Sequence, residues 1–295
     1  MTTTTFAVRR ATPSDKDEVI ALSRAVDEHD FIAEIYDFWM TAEGPDGFYV
    51  AEQEGRIIGC YCLELPGPGQ AYFYAMRIHP NAQGKGIGSQ FCRLQAEQAR
   101  SLGAEDIFLL SVTDNLRAHR TVEKNGFVNR GAWIIYDGLR EIPVQPAPHR
   151  ARPALAEDGP RVERFRRERA TGPLADVISA PYVGWTVKRM MNDDWELANV
   201  VVVEGKTGLD GVMLLSDTRD GLLIRWLDGT PEAAADLIAY GVERMGEKGQ
   251  EALSLSLPQA AEPLLAPLRL DPAAAFRAYV FHLDRSRPLP PVGHE

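Results

Sequence analysis

Residues 71–89, AYFYAMRIHPNAQGKGIGS, decide how this chain folds. The apolar, aromatic run from Ala71 to His79 reads as a strand. It empties through the turn Gln83-Gly84-Lys85-Gly86-Ile87-Gly88 into a helical stretch, Ser89 to Leu102. A strand that ends this way leaves several backbone N–H groups unpaired at a helix N-terminus, aimed at one point and backed by the positive end of the helix dipole. That arrangement suits a pyrophosphate. Gly86 and Gly88 let the backbone approach phosphate oxygens without an intervening Cβ. A tight turn with no ligand uses the same glycines, so the surrounding spacing has to carry the reading.

A dinucleotide fingerprint wants Gly-x-Gly-x-x-Gly near the first strand with an acidic residue about 20 positions on, and here the spacing is reversed and lies deep in the chain. A P-loop wants Gly-Lys-Ser/Thr, whereas Lys85 is followed by Gly86. The spacing Met76-x-Ile78-x-Pro80, Gln83-x-x-Gly86-x-Gly88, then Asn115-x-x-Ala118 and Glu123-Lys124-Asn125-Gly126-Phe127, resembles the GCN5-related N-acetyltransferase (GNAT) superfamily. The resemblance implies an α/β GNAT fold, a mixed central sheet flanked by helices, with acetyl-coenzyme A as cosubstrate. It implies that Gln83, Gly84, Lys85, Gly86, Ile87, Gly88 and Ser89 hold the pyrophosphate. Met76, Arg77 and Ile78 would offer backbone groups to the thioester and pantetheine. Asn115 would face the pantetheine or a bound water, or simply cap its helix, and His119 stands on the same side.

Length and composition set outer limits. At 295 residues the chain suits two domains, each able to bury a core. A net charge of −10 argues against a nucleic-acid partner, since phosphate binding rests on clustered Lys and Arg. The charge suits a cationic substrate or plain solubility. Met1 to Thr5 shows no basic n-region or apolar h-region, and no apolar run approaches a membrane span, so no membrane partner is expected. Cys60, Cys62 and Cys92 form no ligand-like spacing, which implies a reducing cytoplasm and no structural metal.

Along the chain, Phe6 to Arg10 reads as a strand. Thr12-Pro13-Ser14-Asp15 reads as a helix start, with helices to about Val26 and from Phe31 to Ala42. The residues Asp27, Glu28, His29, Asp30 and Glu34 lie either at the entry of an amine or in a solvated acidic loop. Phe48 to Gln53 and Arg56 to Leu65 flank the turn Glu54-Gly55 as a hairpin. Asp106 to Val112, a helix ending at Gly126, and the strand Phe127 to Tyr136 complete a domain over residues 1–138. Residues 139–160 read as a proline-rich linker. Over 161–295, the strands Asn199 to Glu204, Leu209 to Ser216, Gly221 to Trp226 and Glu251 to Leu257, with a helix Pro231 to Lys248, echo the first half. The turn Leu227-Asp228-Gly229-Thr230-Pro231 lacks the glycine spacing and places an aspartate where anions would be repelled. This part reads as a smaller, degenerate GNAT-like domain, or as an unrelated α/β domain with similar hairpins. Arg161 to Arg169 is a solvated basic face or a phosphate contact.

The resemblance implies transfer of an acetyl group to a primary amine of a small molecule in a ternary complex. Two-domain members related to the histidine N-acetyltransferase type look most similar. Relatives often carry Glu or His where Tyr72 and Tyr74 stand, and tyrosine, with a pKa near ~10, is a poor base. Glu64 and His79 are the alternative bases. The family's tyrosine acid is replaced by Val122, leaving Tyr72, Tyr74, His119 or water to meet the thiolate. A catalytically inactive acyl-coenzyme A sensor is the other class of function. Monomer and homodimer both remain open.

Overall fold

The computed structural model describes residues 6–42, 44–139, 149–169, 172, 174, 177–179, 187–189, 197–217 and 221–289. The segment Met1 to Thr5 and part of the expected linker, 140–148, lie outside them. The chain groups into two compact units, Met1–Asn129 with Phe281–Glu295, and Arg130–Val280. The sequence expectation put a connector at 139–160; the grouping divides the chain at Asn129/Arg130.

In the first unit, β1 (Ala7–Arg10) leads into α1 (Lys16–Val26) and α2 (Ile32–Trp39), then β2 (Gly47–Gln53), β3 (Arg56–Glu64) and β4 (Gln70–Ile78). After the glycine loop come α3 (Ile87–Ser101), β5 (Asp106–Val112), α4 (Leu116–Lys124) and the start of β6 (Val128–Leu139). Strand order is β1-β2-β3-β4-β5. Asp15 starts α1: its carboxylate accepts from the Thr12 amide at 2.7 Å and from Arg9 at 2.8 Å. Glu54 and Gly55, with φ 52° and 73°, make the tight turn of the β2–β3 hairpin. α2 is shorter than its apolar spacing suggests, because Met40 and Thr41 fold back onto the carbonyls of Asp37 and Phe38. α1 and α2 cover one sheet face through Val19, Leu22, Ile32, Tyr36 and Trp39, packed on Phe48, Val50, Cys60 and Cys62. Burial pushes the Cys60 thiol up to about 12.

The second unit contains β7 (Arg152–Pro153), α5 (Gly159–Arg169), β8 (Val177–Ser179), β9 (Val187–Arg189), β10 (Val200–Glu204), β11 (Leu209–Asp217), β12 (Gly221–Gly229), α6 (Pro231–Glu247) and β13 (Ala252–Pro258). Its strand order is β6-β13-β12-β11-β10-β7. The basic run folds as α5, whose Val162 and Phe165 are buried against Trp226 while Arg164, Arg167 and Arg169 are exposed. A last strand, β14 (Phe276–Asp284), was not legible in the sequence; its residues from Phe281 belong to the first unit and lie beside β5. There His282 Nε2 meets Asp106 Oδ1 at 2.7 Å and stacks on Phe108.

The two units repeat one frame in register. Gln70–Phe73 of β4 pairs parallel with Asp106–Leu109 of β5, and the pairing then stops; Gly221–Ile224 of β12 pairs with Ala252–Leu255 of β13 and likewise stops. Within a residue or so of that point each antiparallel neighbour slips, between Cys60 and Cys62 on β3 and between Leu214 and Leu215 on β11. Such a slip places an extra residue on the opposite strand, a bulge that frees backbone groups.

Candidate active site

The loop between β4 and α3 leaves its backbone open. Gly84 and Gly86 have φ 77° and 75°, left-handed values that favour glycine, and a Cβ at either would meet nothing within 4 Å. Gly86 is the N-cap of α3 and its carbonyl accepts from the Ser89 and Gln90 amides at 3.1 Å. Among the described residues, the amides of Gly84, Lys85, Gly86, Ile87 and Gly88 have no acceptor within the protein. Five consecutive donors at a helix N-terminus make an anion cradle. The Gln83 side chain is committed elsewhere. Its Nε2 donates to the Ile78 carbonyl at 2.8 Å and its Oε1 accepts from Arg117.

Beside the cradle, β4 is bulged. Cys60 faces Arg77 and Cys62 faces Tyr74, and Ala75 between them takes φ 53°, a strained value for a residue with a Cβ. From Tyr74 to Ile78 the edge of β4 toward β5 has no ladder partner. Met76, Arg77 and Ile78 therefore lie on an edge without a neighbouring strand, where side chains alone meet the Met76 and Ile78 carbonyls. Arg77 adds a brace: it donates to the Met76 carbonyl at 3.1 Å, pairs with the fully buried Asp30 carboxylate, and lies over the Phe31 ring at 5.7 Å. Asp30 also accepts from the Ile32 amide at 3.0 Å, so it turns inward while Asp27, Glu28, His29 and Glu34 stay exposed.

Glu64, Tyr72 and Tyr74 come together on the sheet face covered by α1 and α2. Glu64 lies opposite Tyr72, the Tyr74 hydroxyl donates to Glu64 Oε1 at 2.8 Å, and the tyrosine rings stack at 5.6 Å. Trp39 meets Tyr74 edge-on at 5.8 Å and Phe31 at 6.1 Å. Glu64 and Tyr72 are buried. Burial drives both phenols well above their ordinary pKa, and for each the nearby Glu64 adds to the rise. Both remain protonated at neutral pH, so neither is a base by itself; Tyr74 is a donor that orients a carboxylate.

The remaining sequence candidates lie further from this cluster. His79 is half-buried, and its Nδ1 accepts from the Asn81 amide at 3.2 Å, capping the turn after β4. Asn115 caps α4 by accepting from the Ala118 amide at 3.1 Å. His119 is buried, with Nε2 against the Val112 carbonyl at 2.9 Å and its ring on Phe281. Val122, also buried, offers no proton. Sequence reading missed two supports. Asn125 donates to Ser89 Oγ at 2.8 Å, tying α4 to the first turn of α3, and Asp30 reaches Arg77 across 47 positions. Only the Asn125-Gly126-Phe127 motif offered a local signal, and for the Asp30–Arg77 pair there was none.

The matching place in the second unit is closed. Thr230 caps α6 by accepting from the Ala233 amide at 3.2 Å, Pro231 removes a donor, and the Gly229 amide is taken by its neighbour's Asp228 Oδ1 at 2.6 Å. A Cβ on Gly229 would stand 2.6 Å from the Asp210 carbonyl oxygen. Arg169 pairs with Asp228 at 2.9 Å, and β8 lies against β12 and β13. Ser216 and Arg225, in the register of Glu64 and Tyr74, are buried and meet at 3.3 Å.

The model of the Acetyltransferase (GNAT) family matches residues 16–127. A mycothiol acetyltransferase of Thermomonospora curvata is 27% identical over 105 residues, 36% of this chain and 33% of that protein. The match thus spans about a third of the curated relative's length. A GCN5-related N-acetyltransferase from Sphaerobacter thermophilus superposes with TM-score 0.58 at 18% identity, covering 96% of each chain. The glucosamine N-acetyltransferase region of a fungal multi-domain β-N-acetylglucosaminidase gives 0.58 at 12% identity, over 96% of this chain and 38% of that one. At these identities the superpositions establish the fold alone. Among the described residues, no helix is long and apolar enough to cross a membrane.

Proposed function

We propose that this chain, whose residues 16–127 match the GNAT acetyltransferase family, transfers an acetyl group from acetyl-coenzyme A to a primary amine of a small molecule. The observation that carries this reading is the run of five open amides, Gly84 to Gly88, next to the bulged, unpaired end of β4. The cradle takes the pyrophosphate, and the free edge of β4 takes the pantetheine arm and polarises the thioester carbonyl. Preorganised donors of this kind contribute about 3 to 4 kcal/mol to such a step.

In the reaction the amine nitrogen bonds to the carbonyl carbon and the C–S bond breaks. The nitrogen loses a proton and the thiolate gains one. Glu64 is the proton acceptor, held in orientation by the Tyr74 hydroxyl, and the thiolate takes its proton from water. The aromatic wall of Trp39, Tyr72 and Tyr74 around one buried carboxylate suits a cationic amine. The relatives' name, mycothiol acetyltransferase, supports a small-molecule acceptor. The closed turn of the second unit supports one coenzyme per chain. Val122 favours a second reading, a coenzyme-binding sensor without turnover. A thiol-release assay with acetyl-coenzyme A and a panel of amino acids, polyamines and amino sugars tests this. Turnover with at least one amine is expected, and binding without turnover for every amine would leave the sensor.

A further inference from the structure

One face of α4 runs along the cradle. Asn125 reaches Ser89 Oγ at 2.8 Å, Thr121 lies 3.6 Å from where a Cβ on Gly88 would stand, and Arg117 donates to Gln83 Oε1. These residues are four apart, so they form one stripe along the helix. At Gly88 this stripe comes within van der Waals reach of the first turn of α3. The end of the stripe nearest the five open amides carries a guanidinium. Gln83 occupies one of the five N–H donors of Arg117; among the described residues the others have no partner, and Arg117 is exposed. Gln83 itself is neutral and committed at both ends, so it brings no charge to the loop.

We propose that Arg117 binds a phosphate group of the coenzyme, supplying the fixed positive charge that the cradle's amides lack, while Gln83 holds its guanidinium in place. This rests on the coenzyme site at Gln83 to Ser89. A planar guanidinium with several free donors matches phosphate oxygens better than an ammonium does. The sequence placed no weight on Arg117, because its partner lies 34 positions away.

Calorimetric titration of the whole chain with coenzyme A, 3′-dephospho-coenzyme A and pantetheine tests it, using wild type, Arg117→Met and Arg117→Lys, each with a melting curve. Arg117→Met should weaken coenzyme A about tenfold or more, with Arg117→Lys intermediate, and should flatten the salt dependence of binding. If the loss persists with the dephospho compound, the partner is the pyrophosphate; if it vanishes there, the partner is the 3′-phosphate. Equal affinity of wild type and a folded Arg117→Met protein for coenzyme A would overturn the proposal. A loss of equal size for pantetheine, which has no pyrophosphate, would also overturn it by pointing to structural damage. Failure of wild type to bind any of the three would instead overturn the coenzyme site itself.

Discussion

The two units share a strand frame, with the same four-residue parallel pairing and the same bulge, yet one ends in an open loop and the other in a closed turn. In the first, two glycines in left-handed conformation present five free amides; in the second, Asp228, Thr230 and Pro231 consume or remove the donors at the matching helix start. The bulged strands differ in the same sense. Glu64 and Tyr74 stand in register with Ser216 and Arg225, a carboxyl–phenol pair replaced by a hydroxyl and a permanent cation. The frame alone therefore does not make an open anion cradle. A handful of side chains and one loop decide it.

Substituting the two helix-start glycines should break this comparison most sharply. Gly86→Asp meets no atom but puts a carboxylate against the pyrophosphate, so coenzyme affinity should fall at least about a hundredfold. Its stability cost should stay near the roughly 1 kcal/mol of a left-handed non-glycine residue. Gly229→Asp should do the reverse. Its Cβ meets the Asp210 carbonyl oxygen at 2.6 Å, so melting should shift by about 3 kcal/mol or more while coenzyme affinity holds. Paired calorimetry and thermal melts decide both.

The next largest effect concerns the proton. Glu64→Gln should lower kcat by about 10² to 10⁴ with little change in coenzyme affinity. Tyr74→Phe should do so less, because it removes only the hydroxyl that orients the carboxylate. Ser216→Ala, at the matching place, should change kcat less than about twofold. If Glu64→Gln keeps full kcat, another base serves.

How far the chain could be read follows from what makes each feature. The elements of the first unit, the hairpin at Glu54-Gly55 and the glycine loop are local, and periodicity and turn chemistry write them into consecutive residues. The repeat in the second unit was legible as a succession of strands and a helix, although its register was not. What escaped notice depends on residues distant in sequence: β14 joining β5, Asp30 gripping Arg77, and Arg117 holding Gln83. Glu64 was weighed only as an alternative base, because the facing of β3 depends on its slip against β4.

A smaller effect separates the units in acid. In the second, hydrogen bonds from Arg152 hold Asp158 down at about 2, and those from Arg161 and Arg152 hold Glu204 at about 2. In the first, Arg9 does the same for Asp15. Folded values below the unfolded ones mean stabilisation that is full above the ordinary carboxylate range and lost as pH falls through it toward 2. With more such groups, the second unit should lose amide-exchange protection first between about pH 5 and about pH 3. Arg152→Met should flatten its acid response, and equal acid sensitivity of the two units would refute the assignment.

The central claim, a single coenzyme site carried by the first unit, is tested most directly by calorimetric titration of the full chain with acetyl-coenzyme A. One molecule per chain, abolished by Gly86→Asp, is the predicted result. Two molecules per chain, or one that survives Gly86→Asp, would contradict it.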